Sequence, residues 1–362
     1  MRKSKSCILG LMRPVLSLVI LLCTLLLVDF LLGVVGFPAE PEVRITHPPH
    51  LNRVFENMEF TYRLRTNSIG LRYPEIKPEK LAGEKRVLLL GDSYTEGYSV
   101  AREDSFASLV ERAFASSSSV RFINGGLAST GLFEYARVFE IIGLKLKPDA
   151  VLIHLYTNDI ANVHPQADLS GTAAFYQSLE GQGQRSGLKK SAHMLLPHIY
   201  SILRTERDRR TYEAATRTSD FVGLIGDKAV ERGIARERIE QWSKSIPPEL
   251  LVAANRGEIN GALLAQGLLS PRIWADALDL QDEHAQKLFQ DNIFMLGAIV
   301  KRARSMNIEV AVIYLPCPLQ YDRRRHRSDS PFKKVGVVTR EEWLTETSQL
   351  QIALLKWSRD NA

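Results

Sequence analysis

The chain has 362 residues, 45% hydrophobic, 24% charged and 8% aromatic, with a formal net charge of +6. These proportions exclude a disordered ground state and leave room for one large domain or two ordinary ones. Part of the positive balance sits in Arg2, Lys3, Lys5 and Arg13, ahead of the most apolar stretch, so it points to a membrane surface and not to nucleic acid.

Residues 1–14 form a basic, cytoplasmic N-terminus. From Val15 to Phe37 the chain is apolar except for Ser17, Thr24 and Asp29, a run of about 23 residues that can span a bilayer with some tilt. The preceding cations predict a cytoplasmic N-terminus and an extracytoplasmic main domain, periplasmic in a Gram-negative cell. A carboxyl group at mid-bilayer costs about 3 kcal/mol on insertion scales, but Asp29 lies in the outer half of the span, where it could snorkel or pair. A cleaved signal peptide is the competing reading, but no A-x-A-like site follows, and Leu22 before Cys23 does not suit a lipobox. With Cys7 inside and Cys23 in the anchor, Cys317 alone remains outside, which implies an exported domain that does not rely on disulfides. No histidine pair has metal-ligand spacing, and no cofactor is implied.

Residues 38–56, rich in proline, read as an extended linker. Alternating Phe60, Tyr62 and Leu64 predict a short strand ending in a turn at Asn67–Gly70. RVLLL (86–90) has the continuous apolar character of a strand buried on both faces. Phe106, Leu109, Val110, Ala113 and Phe114 behind Asp104 give a helical period; VRFIN (120–124) predicts a strand, 133–145 a helix and AVLIHLY (150–156) another strand. Residues 161–281 are mostly helical and polar, interrupted by a loop over 178–187, and form an insertion. A helix over 282–306, a strand over 309–315 and a last helix carrying Trp343, Thr347, Leu350, Leu354 and Trp357 complete the chain. The alternation predicts an α/β domain over 57–362, a three-layer α/β/α doubly wound parallel sheet of flavodoxin-like type with a helical insertion and an N-terminal transmembrane helix.

In such sheets ligands bind beyond the carboxyl ends of the strands. Three predicted strands end there in GDSYTEG (91–97), NGGLASTG (124–131) and YTNDI (156–160), which offer Ser93 as a hydroxyl, Gly126 as a close-approaching backbone N–H and Asn158 as a carboxamide donor. Each alone is an ordinary turn. Together and in this order they resemble the SGNH/GDSL hydrolase superfamily, and TNSIGLR (66–72) resembles the lead-in of its membrane-anchored branch. The resemblance covers 57–162 well and 282–362 loosely, with Thr157 standing where many members have glycine.

The resemblance implies a Ser93 nucleophile, an oxyanion hole from the Ser93 and Gly126 N–H groups and the Asn158 side chain, and a histidine base in a C-terminal D-x-x-H block. That block is not found. His284 precedes the last strand, His154 lies within a strand as a core residue, His164 enters the insertion, and His326 in YDRRRHRSD (321–329) is the low-ranked base candidate. The chain thus reads as C-terminally truncated relative to that family. The implied function is an extracytoplasmic, membrane-anchored ester hydrolase or O-acyltransferase acting on an acylated carbohydrate. The alternative is a catalytically impaired glycan-binding or polysaccharide-assembly protein.

Overall fold

The computed structural model describes residues 2–37, 45–56, 58–115, 119–181, 191, 194–216, 220–259, 261–345 and 347–361. The chain divides into two compact bodies: Met1–Arg44 with Gly181–Glu213, and Ile45–Glu180 with Ala214–Ala362. In the first, a helix runs from Arg2 to Val34. Its Pro14–Val34 stretch has a mean hydropathy of 2.9 and is long and apolar enough to cross a membrane. The helix Pro197–Thr216, whose residues up to Glu213 belong to this body, comes from the middle of the sequence-defined insertion.

The second body opens with an antiparallel hairpin, β1 (Asn52–Glu56) against β2 (Thr61–Arg65), with Phe55 opposite Tyr62. Strand β1 corrects the expected linker, part of which it occupies; residues 38–44 lie outside the described ones. Alternation carried the signal for β2, whereas β1 was hidden behind the prolines that precede it. After β2, the Asn67 carboxamide accepts from the Ile69 and Leu71 N–H groups, fixing the turn expected there.

The core is a four-stranded parallel sheet in the order β4 (Val120–Asn124), β3 (Lys85–Leu90), β5 (Ala150–Tyr156), β6 (Glu309–Leu315). Because side chains alternate across a strand, Leu88 and Leu90 join Ile123, Val151, Ile153 and Leu155 in the main core, while Val87 and Leu89 turn to the opposite face. On that opposite face they meet Phe122, Leu152 and the helix Phe106–Phe114, through Phe106, Ala107 and Val110. Burial on both faces is what makes β3 read as an unbroken apolar run. Strand β6 departs from it: Val312 and Ile313 are exposed, and among the described residues only β5 pairs with it.

Helix Glu283–Ser305, capped by Asp282, covers the main-core face and agrees with the expected 282–306. Other helices differ from expectation. The stretch 133–145 begins as an α-helix (Leu132–Arg137), widens to a π-turn (Val138–Ile142) and closes as a 3-10 turn (Gly143–Leu146). The last helix spans Gln349–Asp360, because Ser348 caps it in a reciprocal box with Gln351, and Trp343 lies in a separate turn. The expected insertion is not one unit. Residues 181–213 group with the N-terminal helix, while Ile273–Leu278 packs into the sheet body, its Trp274 edge-on to Tyr156 at 5.9 Å.

Candidate functional site

Strand β3 ends at Leu90, and the chain turns through Gly91 and Asp92 into a single helical turn, Ser93–Glu96. The Asp92 carboxylate caps it, accepting the Tyr94 N–H at 2.9 Å, and Gly97 closes it in the left-handed region at φ 78°. A side chain at Gly91 would strike the Thr95 hydroxyl at 1.9 Å, so the turn is as tight as backbone allows. Arg72, at the end of the TNSIGLR segment, is buried and reaches across to the same turn. Its guanidinium donates to the carbonyls of Glu96 (2.9 Å), Gly97 (2.6 Å) and Val100 (2.6 Å).

The loops after β4 and β5 meet this turn. Gly126 lies against it so closely that a Cβ would fall 2.3 Å from the Glu96 nitrogen and 2.6 Å from the Thr95 carbonyl carbon. Its N–H donates to the Asn124 side chain at 2.9 Å. Its lack of a side chain therefore serves backbone packing, and its donor is already engaged. The Ala128 N–H is held by the Glu96 carboxylate, and Ser129 takes a left-handed φ of 64° at the exposed tip of this loop. After β5, Tyr156 stacks on Tyr94 with centroids 4.2 Å apart, joining the Asn158 turn to the serine turn.

Asn158 sits in a 3-10 turn, Thr157–Ala161. Two residues brace that turn. Asn292, the polar exception on the apolar face of the long helix, donates to the carbonyls of Ile160 (3.2 Å) and Asn162 (3.1 Å). Thr157, where the resemblance leads one to expect glycine, has its hydroxyl 2.9 Å from Tyr314 Oη and from Gln320 Oε1, and it accepts the Cys317 N–H at 2.9 Å. Thr157→Val is expected to lower stability by about 1–3 kcal/mol, because the groups at the end of β6 lose a buried partner; urea unfolding of the detergent-solubilised protein measures it.

Ser93, Gly126 and Asn158 thus leave three neighbouring strands at the same sheet end, and Ser93 and Asn158 flank the β3/β5 crevice where the strand order reverses. Among the described residues, neither the Ser93 N–H nor the Asn158 amide nitrogen donates a hydrogen bond, and Asn158 Oδ1 is buried without a partner. Among the described residues, the Ser93 hydroxyl's hydrogen-bond partner is the Asp92 carboxylate, at 3.5 Å.

The electrostatics below the crevice are set by burial. Desolvation raises the Asp92 carboxyl above its ordinary range. Asp159 accepts the Tyr156 N–H at 2.9 Å but is shifted well up, first by desolvation and then by the Asp92 charge. Tyr135 faces it, and neither the Tyr135 hydroxyl nor Asp159 Oδ1 finds a partner of good hydrogen-bond geometry.

No histidine among the described residues hydrogen-bonds the Ser93 hydroxyl. His326, the base candidate from sequence, is buried with Nε2 held at 2.7 Å from the Leu319 carbonyl. His164 has Nδ1 accepting the Gln166 N–H at 3.2 Å, while its Nε2 faces Glu134 at 3.5 Å. His154 is a core residue: Nδ1 lies 3.2 Å from the Thr95 hydroxyl and the ring stands edge-on to Phe106. Burial lowers its pKa to about 4. A depressed folded pKa favours the fold while the ring is neutral, so this contribution is complete above about pH 6.5 and is lost as the pH falls through about 4. His154→Gln is expected to remove up to about 3 kcal/mol of that acid-linked loss, read as the difference in urea midpoint between pH 7 and pH 4 for the two proteins.

Sequence reasoning passed over His47, whose Nε2 lies 3.3 Å from Glu96 Oε2, on the serine's own turn. A cavity of about 570 Å3 lies elsewhere, lined by Asp279, Arg340, Trp343 and Ser348 among others. No group of three or more potential metal ligands occurs among the described residues. Comparison with protein-family models, with curated proteins and with solved structures returns no significant match.

Proposed function

We propose that the sheet body is an ester-directed acyl-transfer domain of SGNH type, a three-layer α/β/α hydrolase or O-acyltransferase with Ser93 as nucleophile. The observation that carries it is the serine at the start of a helical turn on the inner strand β3, with its own N–H and the Asn158 amide left without partners beside the topological crevice. Such donors stabilise the oxyanion of a tetrahedral intermediate, each worth about 3 kcal/mol. Gly126 contributes by letting the β4 loop close on the serine turn. The histidine proposed as base in this reading is His47, on the single observation that its Nε2 lies 3.3 Å from Glu96 on the serine's own turn, an approach without hydrogen-bond geometry. Acylated carbohydrate is the substrate class that the family resemblance implies, and the helix Pro14–Val34 holds the domain at the membrane, on its extracytoplasmic side.

A fluorophosphonate probe tests this directly, since it reacts only with an activated hydroxyl. Labelling is expected in the full-length protein, absent in Ser93→Ala and slowed by about 100-fold or more in His47→Ala. No labelling of folded protein would sink the enzyme reading. It would then favour the second one, a catalytically impaired glycan-binding protein, which the lack of a direct histidine contact on Ser93 already supports.

A further inference from the structure

The body formed by Met1–Arg44 and Gly181–Glu213 contains a polar contact in apolar surroundings. Asp29 is the one acid between Pro14 and Val34, and it is only 5% exposed. Its Oδ1 accepts the N–H groups of His198 (3.0 Å) and Ile199 (2.8 Å), and its Oδ2 lies 2.9 Å from His198 Nδ1. These are the first free N–H groups of the helix Pro197–Thr216, whose opening proline has none, so the carboxylate caps that helix from outside. Gly33, one turn further along, leaves room for the imidazole, for a Cβ there would lie 2.9 Å from His198 Cε1.

The capped segment carries exposed apolar side chains. Met194, Leu195, Ile202 and Leu203 are 70%, 54%, 36% and 65% exposed, in the same range as Phe30 (66%) and Val34 (65%) of the membrane helix itself. After Leu203 the helix sequence turns abruptly charged, RTERDRR. Asp29 stands five residues before Val34, about 7.5 Å along the helix axis from the end of the apolar span. That matches the roughly 5–10 Å to which amphipathic segments sink into a bilayer interface.

We propose that residues 194–203 are a second membrane contact: the Asp29–His198 joint docks them on the membrane helix and lays their apolar side chains into the lipid interface at its Val34 end. The cost of an acid within the span is offset by the three hydrogen bonds it accepts, and the occupant of the apolar face is the acyl region of the lipids surrounding the same helix. This rests on the reading that Pro14–Val34 crosses a bilayer.

The test uses the full chain in phosphatidylcholine nanodiscs, with Cys7, Cys23 and Cys317 replaced by serine. An environment-sensitive fluorophore is placed singly at Leu195→Cys, Leu203→Cys, Phe30→Cys as the membrane marker and Met306→Cys as the aqueous marker. Labels at 195 and 203 are expected to be at least threefold less quenched by iodide than the label at 306, and quenched more by lipids carrying a shallow nitroxide than a deep one. Asp29→Leu is expected to return iodide access at 195 and 203 while 30 stays protected. Water-like access at 195 and 203 with 30 protected overturns the inference alone; exposure of the label at 30 overturns the membrane-helix reading with it. Unchanged protection in Asp29→Leu overturns the joint.

Discussion

Alanine at Gly126 is expected to destabilise the sheet body by about 3 kcal/mol and to abolish probe labelling of Ser93. The added methyl would overlap the Glu96 nitrogen and the Thr95 carbonyl carbon, which are backbone atoms of the serine turn and cannot rotate aside. Relief requires either the β4 loop or the serine turn to move, and either movement separates the donors from the hydroxyl. Urea unfolding gives the stability loss and fluorophosphonate labelling gives the site loss. A variant as stable and as readily labelled as the parent would show that the loops do not pack as described.

Removing the Arg72 guanidinium is expected to have the larger structural effect. Arg72→Met fills similar volume but leaves the carbonyls of Glu96, Gly97 and Val100 without their charged donor, and it removes a cation that stands 5.1 Å from the Tyr62 ring centroid. Hydrogen bonds to charged groups contribute about 1.5–3 kcal/mol each and are not additive, so a loss of about 4 kcal/mol is expected in urea unfolding. Arg72→Lys should recover only part, since a single ammonium cannot reproduce the fork over three carbonyls. Equal stability of Arg72→Lys and the parent would contradict this account.

The parts of the fold legible in the sequence are those with a local signal. Continuous apolar runs located β3, β4, β5 and β6, and helical periodicity located Phe106–Phe114 and Glu283–Ser305. The three motif loops were placed at one sheet end by strand alternation alone, and the parallel order β4-β3-β5-β6 brings them side by side. What escaped was set by long-range contact. Asn292 breaks an apolar stripe for a reason that lies some 130 residues away, at the carbonyls of Ile160 and Asn162. Thr157 gains its place from Tyr314, Cys317 and Gln320. Gly126, read from sequence as exposing an amide, lies against the Thr95–Glu96 backbone with its N–H on the Asn124 side chain, a close approach that no local pattern signals. Asp29 of the N-terminal helix, which a linear reading can mark as unusual, finds its partners 169 and 170 residues away at His198 and Ile199.

The flank of β6 with which no described strand pairs limits how copies of this protein can join. With all four strands running the same way, two copies meeting β6 to β6 about a twofold axis must pair antiparallel, making one continuous eight-stranded sheet that is a closed pair. A contact from β6 of one copy to β4 of the next would keep the strands parallel and is head-to-tail, closing into a ring where the rotation per copy divides a full turn and otherwise repeating into a filament. The rotation relating successive copies therefore decides between a finite assembly and an endless ribbon at this edge.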